Sequence, residues 1–412
     1  MSARRGEFEL ATRPARVSSR PIVVLVGTYP PRECGIATFT QDTVHGMRQW
    51  PTLVGPIRVC AVNDWPASYR YGPDVQFTIE DSQPASYRAA ARRIEQAGCE
   101  AVVIQHEYGI FGGEHGEYFL EFLDALHLPV ITTLHTVLSK PEGHFRRVTE
   151  EIIDHSVAVV VLAEAARELL ARTVRADRRK LYYIPHGIPD VPWSPELLRE
   201  RKAEMGFAGR LVVSTFGLIG TGKGIEYALE AVARVARQFP QLLYLIIGRT
   251  HPVLVRREGE SYRERLVQMC RDLRIEEQVR FVNRYLSLEE LVRYLQASDI
   301  YLMPYLNPEQ IVSGTLAYAA GAGKPTIATE FAYAKEVLAD GQGILVPFRD
   351  SEAIAEAIGL LLADEQRRLE MAAAAYAHTR TWVWREVGRQ YALLARAMAF
   401  RSEVAAAAIV SA

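Results

Sequence analysis

Lysine is scarce in this 412-residue chain: of 48 basic side chains only six are lysine, at positions 140, 180, 202, 223, 324 and 335, and the rest are arginine. A lysine set among glycines therefore needs explaining. Cysteine is scarcer still, at 34, 60, 99 and 270, with no C-x-x-C pair and no histidine at metal-ligand spacing beside them. The sequence thus suggests neither a disulfide framework nor a zinc site, and a reducing, cytoplasmic setting is expected. No run of eighteen apolar residues is available to span a bilayer, and the Arg-containing segment 1–20 lacks the apolar core of a signal peptide, so it is expected to be a loose basic leader. Excess charge of one sign is also missing: 48 basic against 49 acidic residues leave a formal charge of −1. That excludes a globally basic protein that tracks nucleic acid by neutralising phosphates.

What is present is apolar sequence in a regular rhythm. Apolar residues make up 49% of the chain, enough for buried cores, and at about 150 residues per domain the length suits two large domains. Short β-branched runs alternate with longer helical patterns, the mark of parallel βαβ units. Six expected strands lie in 21–28, 58–63, 101–106, 130–135, 158–162 and 182–185, and six more in 211–216, 243–247, 279–282, 300–304, 325–329 and 343–346. Between the two sets, Pro189 to Pro195 reads as a linker. The expected domains are 21–192 and 200–377. A helix over 381–398 carries an apolar stripe through Trp384, Val387, Tyr391, Leu394 and Ala395 that wants a partner surface, and 403–412 is expected to fray. Ligand chemistry belongs at the carboxyl ends of such strands and in the cleft between the domains.

Two loops of the second half suit an anion. Gly217-Leu218-Ile219-Gly220-Thr221-Gly222-Lys223-Gly224 follows a strand and precedes a helix, so its amides, the helix N-terminus and one ammonium can meet a phosphate or diphosphate. It approaches a Walker A loop, but Gly224 stands where that motif needs Ser or Thr for magnesium; a nucleotidase and a plain structural turn are the alternatives. The second loop runs through Gln310, Ile311, Ser313, Gly314 and Thr315 into a helix, where hydroxyls and unpaired amides suit a diphosphate or simply an N-cap.

In the first half, His106, His135 and His186 end strands, where ligands bind in parallel sheets. A histidine in such a place is also commonly structural. Glu107, Tyr108 and Gly109 follow His106, and the loop continues through Glu114 and His115 toward a polar substrate. Gly35 lies in the first strand-to-helix loop, where backbone can approach a ligand or simply turn. Arg167, Arg172, Arg175, Arg178, Arg179 and Lys180 form a basic face that reads as solvated, with peripheral contact to a membrane surface as the alternative.

Taken in order, these segments resemble family 4 of the retaining glycosyltransferases, the group that includes glycogen and sucrose synthase-like enzymes and mannosyltransferases. The matching segments are Cys34-Gly35-Ile36-Ala37-Thr38-Phe39, Thr133-Leu134-His135, Ile184-Pro185-His186-Gly187-Ile188, Lys223-Gly224, Ala322-Gly323-Lys324-Pro325-Thr326-Ile327-Ala328-Thr329, Glu336-Val337-Leu338, Gly343-Ile344-Leu345-Val346-Pro347 and Trp384. The resemblance implies an α/β GT-B fold: two Rossmann-like, doubly wound domains facing a central cleft, with a C-terminal helix crossing back to the first. It implies a nucleotide-sugar donor as co-substrate, with UDP or GDP as the nucleotide, no further cofactor and no metal; no Asp-x-Asp motif occurs. It implies a carbohydrate or other hydroxyl acceptor on the first domain, near His106, Glu107, Tyr108, Gly109 and His186. Lys223 is then the diphosphate cation and His135 positions the transferring sugar, both catalytic. Gly35, Gly217, Gly222, Gln310, Ile311, Ser313, Gly314 and Thr315 hold the phosphates.

The chain departs from the family pattern twice. An Arg expected five residues before the loop lysine is Leu218, for which Arg249 or Arg284 at neighbouring strand ends are candidate substitutes. A Glu, seven residues, Glu pattern falls on Gln310 and Tyr318, which puts Tyr318 and Arg249 near the nucleotide ribose and base without the usual acid. These departures keep open a non-catalytic sugar-nucleotide or glycan-binding protein, and an epimerase or phosphorylase, on the same scaffold.

Overall fold

The structure is a computed structural model that describes residues 20–64 and 66–400. The segment expected as a basic leader, Arg20 apart, and the expected frayed tail lie outside the described residues. Seven strands form the first sheet: β1 (Val23–Gly27), β2 (Ile57–Asn63), β3 (Val75–Glu80), β4 (Ala101–His106), β5 (Val130–Leu134), β6 (Ala158–Val161) and β7 (Leu181–Tyr183). Six form the second: β8 (Leu211–Phe216), β9 (Leu242–Ile247), β10 (Val279–Val282), β11 (Ile300–Met303), β12 (Thr326–Thr329) and β13 (Gly343–Val346). Their spatial orders are β3-β2-β1-β4-β5-β6-β7 and β10-β9-β8-β11-β12-β13. All strand pairings are parallel. In each sheet the order reverses at the first strand, so a crevice opens at the carboxyl ends of β1 and β8.

Strands buried on both faces read as unbroken apolar runs, which is why the central ones were legible. Val23 to Val26 in β1 are fully buried, and the six residues of β9 are at most 2% exposed. The structure adds one strand to those expected. β3 is an edge strand in which Phe77 and Ile79 are buried while Gln76 is exposed, so it alternates instead of running apolar.

The helix Trp384–Ala399 returns to the first domain and lies on helix Gly35–Arg48. Its expected stripe is the buried one, with Val387, Tyr391, Leu394 and Ala395 fully enclosed. Two glycines permit the close crossing: a Cβ on Gly388 would stand 2.1 Å from the backbone carbon of Gly46, and one on Gly46 would stand 2.2 Å from the Trp384 carbonyl oxygen. The outgoing and returning segments are stitched together where they cross. Ile188 N–H donates to Trp382 O and Trp384 N–H to Ile188 O, both at 2.9 Å, and the Tyr376 hydroxyl donates to Val191 O at 3.1 Å. The expected linker is therefore packed on the return path. Among the described residues no helix is long and apolar enough to cross a membrane.

Candidate functional site

The glycine loop leaves β8 through Gly217, whose φ of 125° suits glycine, and tightens into a 3-10 turn over Thr221–Lys223. Gly224 then adopts φ 62° at the head of helix Ile225–Val235, where any Cβ would meet the Pro304 carbonyl oxygen at 2.0 Å. This close approach explains why glycine stands where a Walker A loop needs a hydroxyl. It also seats the Gly loop on the segment after β11.

That seating brings the two expected anion loops together. Lys223 Nζ donates to the Tyr305 hydroxyl at 2.5 Å and lies 3.7 Å from the Tyr305 ring centroid. The Tyr305 hydroxyl is 3.0 Å from Thr315 Oγ1, which is 3.0 Å from Ser313 Oγ. Ser313 Oγ accepts from Leu316 N–H at 3.3 Å and so caps helix Gly314–Gly321. On the backbone side, Gly217 approaches Thr315, whose Cγ2 would lie 3.4 Å from a Cβ at 217, and the Leu306 amide donates to Gly222 O at 3.0 Å. Gln310 turns its amide onto Val312 O at 3.1 Å, and Ile311 is buried. Among the described residues no carboxylate pairs with Lys223. An ammonium, three hydroxyls and a helix N-terminus thus converge without a compensating anion among the described residues, a constellation suited to phosphate.

Two other lysines of the second half, Lys324 and Lys335, are differently employed. Lys324 is 1% exposed and donates to the carbonyls of Gln296 and Ser298; burial pushes its ammonium down to about 8. Lys335 pairs with Glu330 at 3.1 Å.

The two candidate substitute cations part company. Arg249 is joined to the Gly loop, since Ile219 N–H donates to Arg249 O at 2.9 Å, and its guanidinium reaches Glu33 of the first domain at 2.6 Å. Arg284 is instead exposed and held by Glu290 at 2.5 Å, within the capping box of helix Leu288–Gln296. Arg249 is therefore the cation beside the loop.

On the first domain, Phe39 organises the facing wall. Its ring meets His135 edge-on at 4.6 Å, His186 at 5.1 Å and Trp384 at 5.0 Å. His135 Nε2 lies 2.9 Å from Gln105 Oε1, which calls for the Nε2–H tautomer, and burial pushes the ring down to about 3, so it is neutral. His186 Nδ1–H donates to Gly187 O at 2.8 Å, burial lowers the ring to about 4, and its Nε2 borders Gly314 closely enough that a Cβ there would stand 2.7 Å away. The first residue of the phosphate-loop helix is thus set against a first-domain histidine.

Tyr318 spans the cleft to donate to Asp42 Oδ2 at 3.4 Å. Burial pushes the Asp42 carboxyl up to about 7, opposed in part by that hydroxyl. Gly35 opens helix Gly35–Arg48, with nothing within 4 Å of the position of a Cβ.

Other candidates lie behind this wall. His106 is 1% exposed, stacked on Phe111 at 5.5 Å, with neither ring nitrogen bonded, and burial alone pushes it down to about 3. Tyr108 is buried with its hydroxyl 2.6 Å from Thr149, and Glu107 accepts from Thr136 at 2.6 Å and from Tyr108 N–H at 3.0 Å. Those bonds oppose the upward push of burial on the Glu107 carboxyl. Gly109 has open space around it, while the His115 ring stacks on Phe145 at 3.5 Å. Three of the six side chains on the basic face are ion-paired, Arg167 to Glu164, Arg178 to Glu168 and Arg179 to Asp177. Tyr305, Glu33, Asp42 and Gln105 escaped the sequence reading. Tyr305 beyond β11, Gln105 at the end of β4 and Glu33 in the loop after β1 share the strand-end position, whereas Asp42 lies inside helix Gly35–Arg48.

Residues 199–378 match the model of a family described as glycosyl transferases group 1. The chain is 26% identical over 303 residues to the D-inositol 3-phosphate glycosyltransferase of Corynebacterium glutamicum, covering 68% of this chain and 71% of that protein. Among solved structures it resembles a glycosyltransferase from Rickettsia africae, with a TM-score of 0.73, 14% identity and 93% and 100% of the two chains covered. It also resembles HepE of Anabaena, solved with UDP and glucose, with a TM-score of 0.70, 16% identity and 90% and 98% covered. The fold is accordingly that of the GT-B glycosyltransferases, and the enzyme class that the family match and the curated relative both carry is glycosyltransferase.

Proposed function

We propose that the protein transfers a sugar from a UDP- or GDP-linked donor on its second domain to a hydroxyl of an acceptor on its first, with retention at the anomeric carbon and without a metal. The acceptor class is a glycan, a lipid-linked glycan or a small metabolite. One observation carries this reading: both anion loops meet at Lys223, Tyr305, Thr315 and Ser313, and no carboxylate pairs with the ammonium among the described residues. Charge builds on the leaving diphosphate as the glycosidic bond breaks, so fixed donors there stabilise the transition state more than the ground state. Lys223 supplies the full charge, and the helix from Gly314 supplies its N-terminal dipole. Arg249 borders the same loop. His135, held neutral by burial and in one tautomer by Gln105, orients the sugar through hydrogen bonding and takes no proton at neutral pH. The GDP- and UDP-linked alternatives differ at the nucleotide edge, where Tyr318 replaces the acid that the resemblance implies.

The test is donor consumption. UDP-glucose, UDP-N-acetylglucosamine, GDP-mannose and ADP-glucose are supplied with hydroxylic acceptors while free nucleotide and product anomer are followed. One donor should release its nucleotide with a retained linkage, and Lys223→Ala should slow that by about a hundredfold. Binding without transfer or hydrolysis would identify a binding protein, and an isomerised donor an epimerase. No binding and no consumption of any donor would overturn the proposal.

A further inference from the structure

Arg249 is joined to the glycine loop through its backbone, yet its side-chain partner comes from the opposite domain: Glu33 Oε2 lies 2.6 Å from its Nη2. Glu33 is not a stray surface acid. It sits in the loop after β1, between residues anchored to their own domain. Arg32 donates to Val62 O at 3.3 Å and lies 3.7 Å from Asp64, and Cys34 Sγ is 3.1 Å from Thr28 Oγ1 and accepts from Ala37 N–H at 3.4 Å. The carboxylate is thus presented across the cleft by a braced loop. On the other side, Ile219 donates to Arg249 O and accepts from His251 N–H at 2.8 Å, so the 249–251 segment runs alongside the Gly loop. The Arg249 Nε is buried without a partner, so the guanidinium keeps donor capacity beyond the Glu33 contact.

We infer that Glu33 sets donor affinity by occupying Arg249 while the diphosphate is absent, so that the arriving diphosphate competes with a built-in carboxylate for that guanidinium. The inference rests on the donor reading above. The guanidinium cannot present the same N–H to both anions, and a carboxylate left beside a bound diphosphate repels it. The pair is partly exposed, with side chains 37% and 49% accessible, so its own strength is modest and the competition should weaken donor binding by about two- to fivefold. Glu33 is therefore a residue that tunes affinity, not one that touches the reacting atoms.

The experiment is titration calorimetry of the full chain with UDP and with GDP, comparing wild type, Glu33→Gln, Arg249→Ala and the double variant, at low salt and at ~1 M salt, where the Debye length is about 3 Å. Glu33→Gln should bind the preferred nucleotide about two- to fivefold tighter at low salt, with the gain shrinking at high salt. Arg249→Ala should bind it more weakly, and adding Glu33→Gln to Arg249→Ala should bring no gain, because the effect runs through that pair. Wild-type binding with no gain in Glu33→Gln, or a full gain that persists without Arg249, overturns the inference alone. Failure of every protein to bind either nucleotide overturns the donor reading and this inference with it.

Discussion

Replacing His106 by phenylalanine separates two roles for a residue at the carboxyl end of β4. The ring is 1% exposed among Phe111, Phe119 and Tyr108, neither nitrogen has a partner, and burial alone holds it neutral with a pKa of about 3. The sign of the linkage follows. An unfolded histidine takes a proton near pH 6.5 whereas the folded one resists to about pH 3, so the unfolded state binds more protons between those values. The stability this ring allows is complete above pH 6.5 and is lost as the pH falls toward 3. At pH 5 the unfolded form gains about 2 kcal/mol from protonating this one side chain. Phenylalanine removes that loss and two unbonded polar atoms, each costing about 1–3 kcal/mol when buried, while its slightly larger ring returns part of the gain as crowding. Chemical denaturation at pH 8 and pH 5 should find His106→Phe at least as stable as wild type at pH 8, and more stable at pH 5 by about 2 kcal/mol beyond any difference at pH 8. Donor turnover should be unchanged. A variant equally sensitive to acid, or one that folds well but loses turnover, would refute the burial argument and return His106 to the acceptor site.

Tyr305→Phe keeps the ring under Lys223 but deletes the hydroxyl that links it to Thr315, so UDP or GDP affinity measured by calorimetry should fall about fivefold, less than for Lys223→Ala. Unchanged affinity would mean that Lys223 needs no such positioning. Gly388→Ala forces a Cβ against Gly46 backbone at 2.1 Å and should cost about 1–3 kcal/mol or more in thermal melts. Gly359→Ala, in helix Ser351–Ala363 with nothing within 4 Å of a Cβ, should instead stabilise by about 0.5–1 kcal/mol. Equal effects at the two glycines would contradict the close crossing.

The alternation of apolar runs and amphipathic stretches determined most of this fold, because a strand covered on both faces must be apolar throughout. β1 and β9 are readable for that reason, and β3 is not, since VQFTIE at a sheet edge buries one face only. The stripe from Trp384 to Ala395 announced a helix in need of a surface, but its target, helix Gly35–Arg48, is more than three hundred residues away in sequence. The anion loops were legible separately, through glycines, a lone lysine and a Ser-Gly-Thr turn that answer to local backbone demands. Their meeting at Tyr305, the neutrality of His135 and His186, the withdrawal of His106 into the core and the grip of Glu33 on Arg249 were decided only by tertiary structure. Each depends on burial or on a partner distant along the chain, and local sequence encodes neither the solvent a side chain loses nor the charge it meets.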